Sequence, residues 1–260
     1  MARAWLWTVL VLCGTALLVS TACRPGDPPA YERGRATHVV VVPSGATFDQ
    51  AIAIVSGHRM VENDLGSVAR DVMLPHMGLP HGDPEGMFLP GRYLFLEGHT
   101  ASHIMRRAAM RMRAVLANEW SHGERDVLDS PREALILASI IESETRRTED
   151  KPRIAGVFVR RLEAGWRLQA DPTVEYGLGA SFDGRLTRAQ LDDDANPYNT
   201  YRRHGLPPTP ICLPGRESIR AALNPAEGDE WYFLGRGDGT TEFSVDLAAH
   251  NAAARRYLRR

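Results

Sequence analysis

The chain has 260 residues, 43% of them apolar and 24% charged, which is enough to bury one sizeable core and support a smaller second unit and excludes a disordered tail. Its 31 Lys and Arg stand against 32 Asp and Glu, for a formal charge of −1, so no overall field draws it to nucleic acid or an anionic surface. A neutral polymer fits such a balance, and three cysteines are too few for a disulfide framework.

Met1-Ala2-Arg3 precedes an uncharged run from Ala4 to Cys23 that is closed by Arg24. A run of that length either spans a bilayer or serves as an export signal. Arg3 favours keeping this end cytoplasmic and sending the remainder across the membrane. Ser20, Thr21 and Ala22 before Cys23 also look like a lipoprotein cleavage site, so three fates stand open: an uncleaved anchor, a lipidated Cys23, or secretion after cleavage near Ala22. Residues 24–37, rich in Pro, Gly and charge, read as a linker.

His38 to Val42 is a short β-branched run ending at Pro43-Ser44-Gly45, and Thr47 to Ser56 carries apolar residues at helical spacing, so strand, turn and helix are expected in that order. A Gly- and aromatic-rich stretch around Pro90-Gly91-Arg92-Tyr93 then leads into a helical pattern from Ala101 to about Trp120. There Ile104, Ala108, Met112 and Leu116 recur every four residues as one buried stripe. His99 and His103 have the spacing of a zinc helix, but Thr100 stands where the catalytic Glu would be, and no glycine-rich phosphate loop occurs. No metal and no cofactor are expected.

Residues 134–145, ALILASIIESET, set Glu142 and Glu144 at the end of an apolar helix. A carboxyl group held against Leu, Ile and Ala is poorly hydrated, so its pKa rises and it can keep a proton near neutral pH, as a general acid must. The plainer alternative is a helix passing from its buried to its solvated end, with Glu142 and Arg146 as an i,i+4 surface pair. On a helical projection Ala138, Ile141, Glu142 and Thr145 share a side and Glu144 points elsewhere. Geometry on its own leaves both carboxylates in play.

Downstream, RLQADPTVEYGLG (167–179) offers Gln169, whose amide suits sugar hydroxyls or an N-acetyl group, and Asp171-Pro172 as a helix start, with Asp171 either cap or site residue. Tyr198-Asn199-Thr200-Tyr201 brings two phenols, an amide and a hydroxyl together. That set stacks on sugar rings and bonds their hydroxyls, or else braces a turn. Ser218 begins a helix where a cap is expected, Trp231 to Ser244 reads as a hairpin through Gly235–Gly239, and Asp246 to Leu258 as a closing helix. Ser218 lacks the nucleophile-elbow pattern, which argues against a serine hydrolase working with His250.

SIIESET together with RLQADPTVEYGLG, NPYNTYRRHGLPPTPICLPGRES and YFLGRGDGTTEFS resembles the endolytic murein transglycosylases, the MltG or YceG-like family, strongly from Glu133 to His250 and weakly over residues 38–110. The resemblance implies an α+β fold with a membrane anchor or lipoprotein signal (1–23), a linker (24–37), a small LysM-like module (38–86) and a mixed α/β catalytic domain (87–260) built on a central Glu-bearing helix. It implies Glu142 as the catalytic acid, Glu144 and Thr145 in support, and Gln169, Asp171, Tyr198, Asn199 and Tyr201 as substrate contacts. The implied reaction cleaves the MurNAc-β-1,4-GlcNAc bond of nascent glycan strands and leaves 1,6-anhydroMurNAc ends. One residue suffices as acid and then base because the sugar's own 6-hydroxyl attacks C1. The implied partners are peptidoglycan strands, the inner membrane that tethers a domain working outside it, and a peptidoglycan synthase, with no nucleic acid. Two rivals remain: an envelope glycan-binding or scaffold protein without turnover, and a muramidase-type hydrolase.

Overall fold

The computed structural model describes residues 38–123 and 127–257. The anchor, lipoprotein and linker expectations fall on residues 1–37, outside the described residues. No helix of the described residues is long and apolar enough to cross a membrane.

The chain enters as β1 (His38–Val42), whose alternation buries Val40 and Val42 and exposes Val41. After the turn, Thr47 caps α1 (Phe48–Ser56) with a reciprocal capping box, its hydroxyl accepting from the Gln50 amide while the Gln50 side chain accepts from the Thr47 N–H. A second short helix, α2 (Arg70–His76), occupies the connection that precedes β2 (Gly91–Phe95). β2 pairs antiparallel with β1, His38 opposite Phe95 and Val42 opposite Gly91. The Gly- and aromatic-rich entry is therefore a strand, and its Tyr93 and Phe95 fill the same core as Val40 and Phe48.

Thr100 caps α3 (Ala101–His122), and the predicted stripe is the buried one: Ile104, Ala108 and Met112 are inaccessible and Leu116 is packed against the core. α3 belongs to two apolar clusters. Its first half, to Ala109, closes the cluster containing β1, α1 and β2, while Met112 and Val115 enter the second. The first cluster thus continues past residue 86 and also takes in Leu213.

At the centre of the second cluster lies α4 (Pro131–Glu144), capped by Ser130 with Pro131 in the first turn, and buried at every position from Ala134 to Glu142. A helix apolar all round must be wrapped. α5 (Lys151–Glu163) and α8 (Arg216–Leu223) wrap it. Between these come α6 (Asp171–Leu178), a 3₁₀ turn and α7 (Arg188–Leu191). The hairpin of β3 (Tyr232–Gly235) and β4 (Thr241–Ser244) and the helix α9 (Leu247–Tyr257) complete the fold as expected. Gly156 on α5 is where the chain after α8 comes closest: a Cβ there would lie 2.4 Å from the Ala226 carbonyl oxygen.

Candidate active site

The end of α4 sends its two glutamates in opposite directions, because two residues turn an α-helix by about 200°. Glu142 points into the protein. It is 8% exposed, and its Oε2 accepts from the Ser218 hydroxyl (2.6 Å), the Gly215 N–H (2.9 Å) and the buried Lys151 ammonium (3.0 Å). Burial alone would raise its pKa, but the three donors outweigh burial and hold the carboxyl below the ordinary Glu value. Glu142 is thus an anion that fastens α4 to α5 and α8. Ser218, spent on Glu142 and fully buried inside α8, is neither a helix cap nor available as a nucleophile; Gly215 holds the cap position.

Glu144 instead lines a cleft of about 530 Å³ between α4, α6, the β3–β4 hairpin and α9, together with Arg161, Gln169, Asp171, Tyr201, Tyr232 and His250. Its carboxyl makes no hydrogen bond among the described residues. Burial first and the negative Asp171 next push its pKa up, Glu175 adds to this, and Arg161 opposes it; the result is a pKa raised to about 8. At neutral pH this carboxyl carries a proton. Thr145 ends α4 beside it, buried, with its hydroxyl accepting from the Arg147 N–H.

The opposite wall is built by the segment before α6. Asp171 is the first helical residue and not the cap, and its Oδ1 accepts from the Tyr201 hydroxyl at 2.5 Å. Gln169, Asp171 and Tyr201 therefore meet in the cleft with Glu144, whereas Tyr198 and Asn199 do not line it. Tyr198 donates to or accepts from Thr209 Oγ1 at 2.8 Å and packs edge-on against Tyr176, both half-buried against the second cluster. Asn199 is wholly inaccessible: its Nδ2 donates to the carbonyls of Gln190, Leu191 and Asp193, and its Oδ1 accepts from the Tyr201 N–H. The amide that composition marks as a sugar contact organises the tyrosine loop.

Arg161, Tyr232 and His250 complete the wall. Arg161 is 5% exposed, donates to the carbonyls of Leu168 and Trp231, and lies over the Trp166 and Tyr232 rings at 5.6 and 5.7 Å. It ties hairpin, α5 and the pre-α6 segment together and sets a positive charge near Glu144. His250 stacks on Tyr232 at 5.1 Å, and burial, then the Arg161 charge, holds it below the usual His value, so the imidazole is neutral. Arg161 is invisible to sequence reasoning because an arginine on an amphipathic helix reads as solvated. Among the described residues no cluster of His, Cys, Asp and Glu is arranged to hold a metal.

Fold and site together define an α+β protein in which one central helix delivers a protonated carboxyl group to a polar, aromatic-lined cleft. The YceG-like family model matches residues 29–256, and the chain belongs to that family. It is similar to the endolytic murein transglycosylase of Bacillus subtilis (strain 168), 34% identical over 174 residues, which are 67% of this chain and 48% of the relative. It is also similar to that of Streptococcus pneumoniae serotype 2 (strain D39 / NCTC 7466), 30% identical over 153 residues, 58% of this chain and 28% of the relative. The chain therefore spans about half the length of the first relative and less of the second. A yceG-like protein from Listeria monocytogenes, known from a 2.6 Å crystal structure, superposes with a TM-score of 0.68 at 30% identity, over 84% of this chain and 76% of that one.

Proposed function

We propose that this chain is an endolytic lytic transglycosylase of peptidoglycan, with Glu144 as its acid and then its base. The observation that carries the reading is the Glu144 carboxyl, protonated near neutral pH in a cleft of sugar-compatible side chains. Glu144 gives its proton to the GlcNAc O4 as the bond from MurNAc C1 breaks; the MurNAc 6-hydroxyl then attacks C1 and returns its proton to Glu144. The Arg161 charge steadies the transient carboxylate, and Gln169, Asp171 and Tyr201 contact the strand. Glu142 acts from behind, fixing the helix end through Lys151, Gly215 and Ser218. Tyr198, Asn199 and Thr145 shape the loop and helix end rather than touch the sugar.

Residues 38–86, with β1, α1 and α2, act in this reading as the LysM-like module that holds the strand, its β1 paired with β2 of the catalytic part, and the uncharged run from Ala4 to Cys23 tethers the enzyme so that it works outside the cytoplasmic membrane beside a synthase. Failure of the full chain to crosslink to any synthase in cells would remove that partner. Mass spectrometry of uncrosslinked glycan strands digested with the protein tests the reaction. Products ending in 1,6-anhydroMurNAc are expected. Reducing ends would mean a hydrolase using Asp171 as its second carboxylate, and intact strands retained by the protein would mean a binding module.

A further inference from the structure

Gln169 has φ +53°, the one non-glycine residue with a left-handed backbone among the described residues. Glycine is the residue that takes such a conformation without strain, and non-glycine residues kept there cluster at functional sites. The Gln169 carboxamide has no hydrogen-bond partner among the described residues, although it lines the cleft. Local contacts of the side chain thus do not explain why glutamine stands where glycine is cheaper.

The backbone around it is clamped on every side. Arg161 Nη1 donates to the Leu168 carbonyl, the Gln169 N–H donates to the Thr200 carbonyl at 3.2 Å, and the Ala170 N–H donates to Thr200 Oγ1 at 3.0 Å. Thr173 Oγ1 donates to the Ala170 carbonyl (2.7 Å), so its lone pair receives the Thr200 hydroxyl proton at 2.9 Å. Both threonines are buried, at 2% and 0% exposure. Thr200 is in turn immobilised by its neighbour Asn199, whose amide binds three carbonyls. A buried hydroxyl pair with every hydrogen bond made is rigid; it holds the peptide after Gln169 through the Ala170 N–H and the next one through the Ala170 carbonyl, while the Thr200 carbonyl and Arg161 hold the peptide before Gln169.

We propose that Thr200 is a positioning residue for the transglycosylase reaction: through its hydroxyl, its carbonyl and its pairing with Thr173 it holds Gln169 in the left-handed conformation and so aims the Gln169 carboxamide at the glycan in the cleft. This rests on the function proposed above. A carboxamide offers a donor and an acceptor side by side, which matches the acetamido group of either sugar. The strain is the cost of orientation, and the clamp keeps the chain from relaxing away from it.

The test is a double-mutant cycle with Gln169→Gly and Thr200→Val, read as kcat/KM on uncrosslinked strands and as Tm, with Thr200→Ser as the conservative control. Thr200→Val is expected to lower kcat/KM by about 10²-fold through misplacement of Gln169, and Thr200→Ser to restore it. Gln169→Gly should lower kcat/KM similarly while raising Tm by about 2–4 °C, and adding Thr200→Val to it should cost less than about threefold more. Additive losses in the cycle, or a Gln169→Gly protein that melts lower than the unmutated one, would overturn the proposal. If Thr200→Val melts below assay temperature, the Tm of Gln169→Gly alone decides. That arm needs no turnover, so an inactive unmutated protein would sink the proposed function while the clamp is still judged by the melt.

Discussion

Glu142 and Glu144 sit two residues apart in one apolar helix and end in opposite protonation states, because their partners come from distant parts of the chain. Glu142 is met by Lys151, Gly215 and Ser218, and Glu144 by Asp171, Glu175 and Arg161. The sequence shows that the two face different ways and that one carboxyl should be poorly hydrated, but not which faces the cleft, since those partners lie up to 76 residues away. The consequence for stability differs in sign. The folded Glu142 pKa is depressed, so its contribution is complete above the ordinary value of 4.5 and is lost as pH falls through the folded value. Lys151→Met, which leaves Glu142 buried and unpaired, should therefore cost about 3–5 kcal/mol in chemical unfolding at pH 7, and less in acid. Glu144 is raised from 4.5 to about 8, so its ionisation weakens the fold as pH rises through that window. Glu144→Gln should raise the unfolding free energy at pH 8 and leave it nearly unchanged below pH 4.5. An equal effect at both pH values would count against an uncharged Glu144.

At the level of elements, periodicity and capping signals locate α1, α3, α4, α6, the hairpin and α9, since each is specified by its own residues: Thr47 with Gln50, the four-residue stripe of α3, Pro131 after Ser130. β2 and α2 are not legible in the same way. Gly91–Phe95 is a strand because β1 lies beside it, and Arg70–His76 carries Pro75 near its end, which reads as a break. The tyrosine loop shows the same limit at the site: its composition suits a sugar, yet only Tyr201 of the pair faces the cleft, while the Asn199 amide is consumed by carbonyls from the chain before it. Gly156 gives a sharp test of packing between α5 and the segment after α8. Gly→Ala inside a helix is ordinarily a gain of up to about 1 kcal/mol. Here the new methyl would stand 2.4 Å from a backbone carbonyl that is itself tied to α5 through the Ala226 N–H and the Pro152 carbonyl, so Gly156→Ala should lower Tm by several degrees. A higher Tm would mean that the two segments part easily.

Across the whole molecule, the two apolar clusters share α3 and are also bridged by a buried carboxyl. Glu85, 2% exposed, accepts from the Phe48 N–H at the start of α1 (2.8 Å) and from the Tyr176 hydroxyl on α6 (3.2 Å), and burial pushes its pKa up to about 7 against those donors and Arg70. With Glu144 this makes two carboxyls whose folded pKa exceeds the unfolded value, so the folded state binds their protons more tightly and loses stability as pH rises from 4.5 towards 8. Denaturant unfolding of the unmutated chain between pH 5 and pH 8, set against the Glu85→Gln/Glu144→Gln double variant, should show the unmutated chain losing stability relative to the variant. A constant difference would contradict the shared assignment. The near-zero net charge fits this picture of local electrostatics, with opposed charges placed in pairs inside the molecule instead of a field around it.

The most direct measurement is the cleavage rate of uncrosslinked glycan strands by Glu144→Gln and Glu142→Gln side by side, at a temperature where melting curves show both to be folded. With Glu144 as the acid, Glu144→Gln should lose about 10²–10⁴-fold in kcat while melting no lower than the unmutated protein, and Glu142→Gln should melt lower yet keep kcat within about tenfold. A folded Glu142→Gln protein without activity, beside a Glu144→Gln protein that still cleaves, would contradict the account.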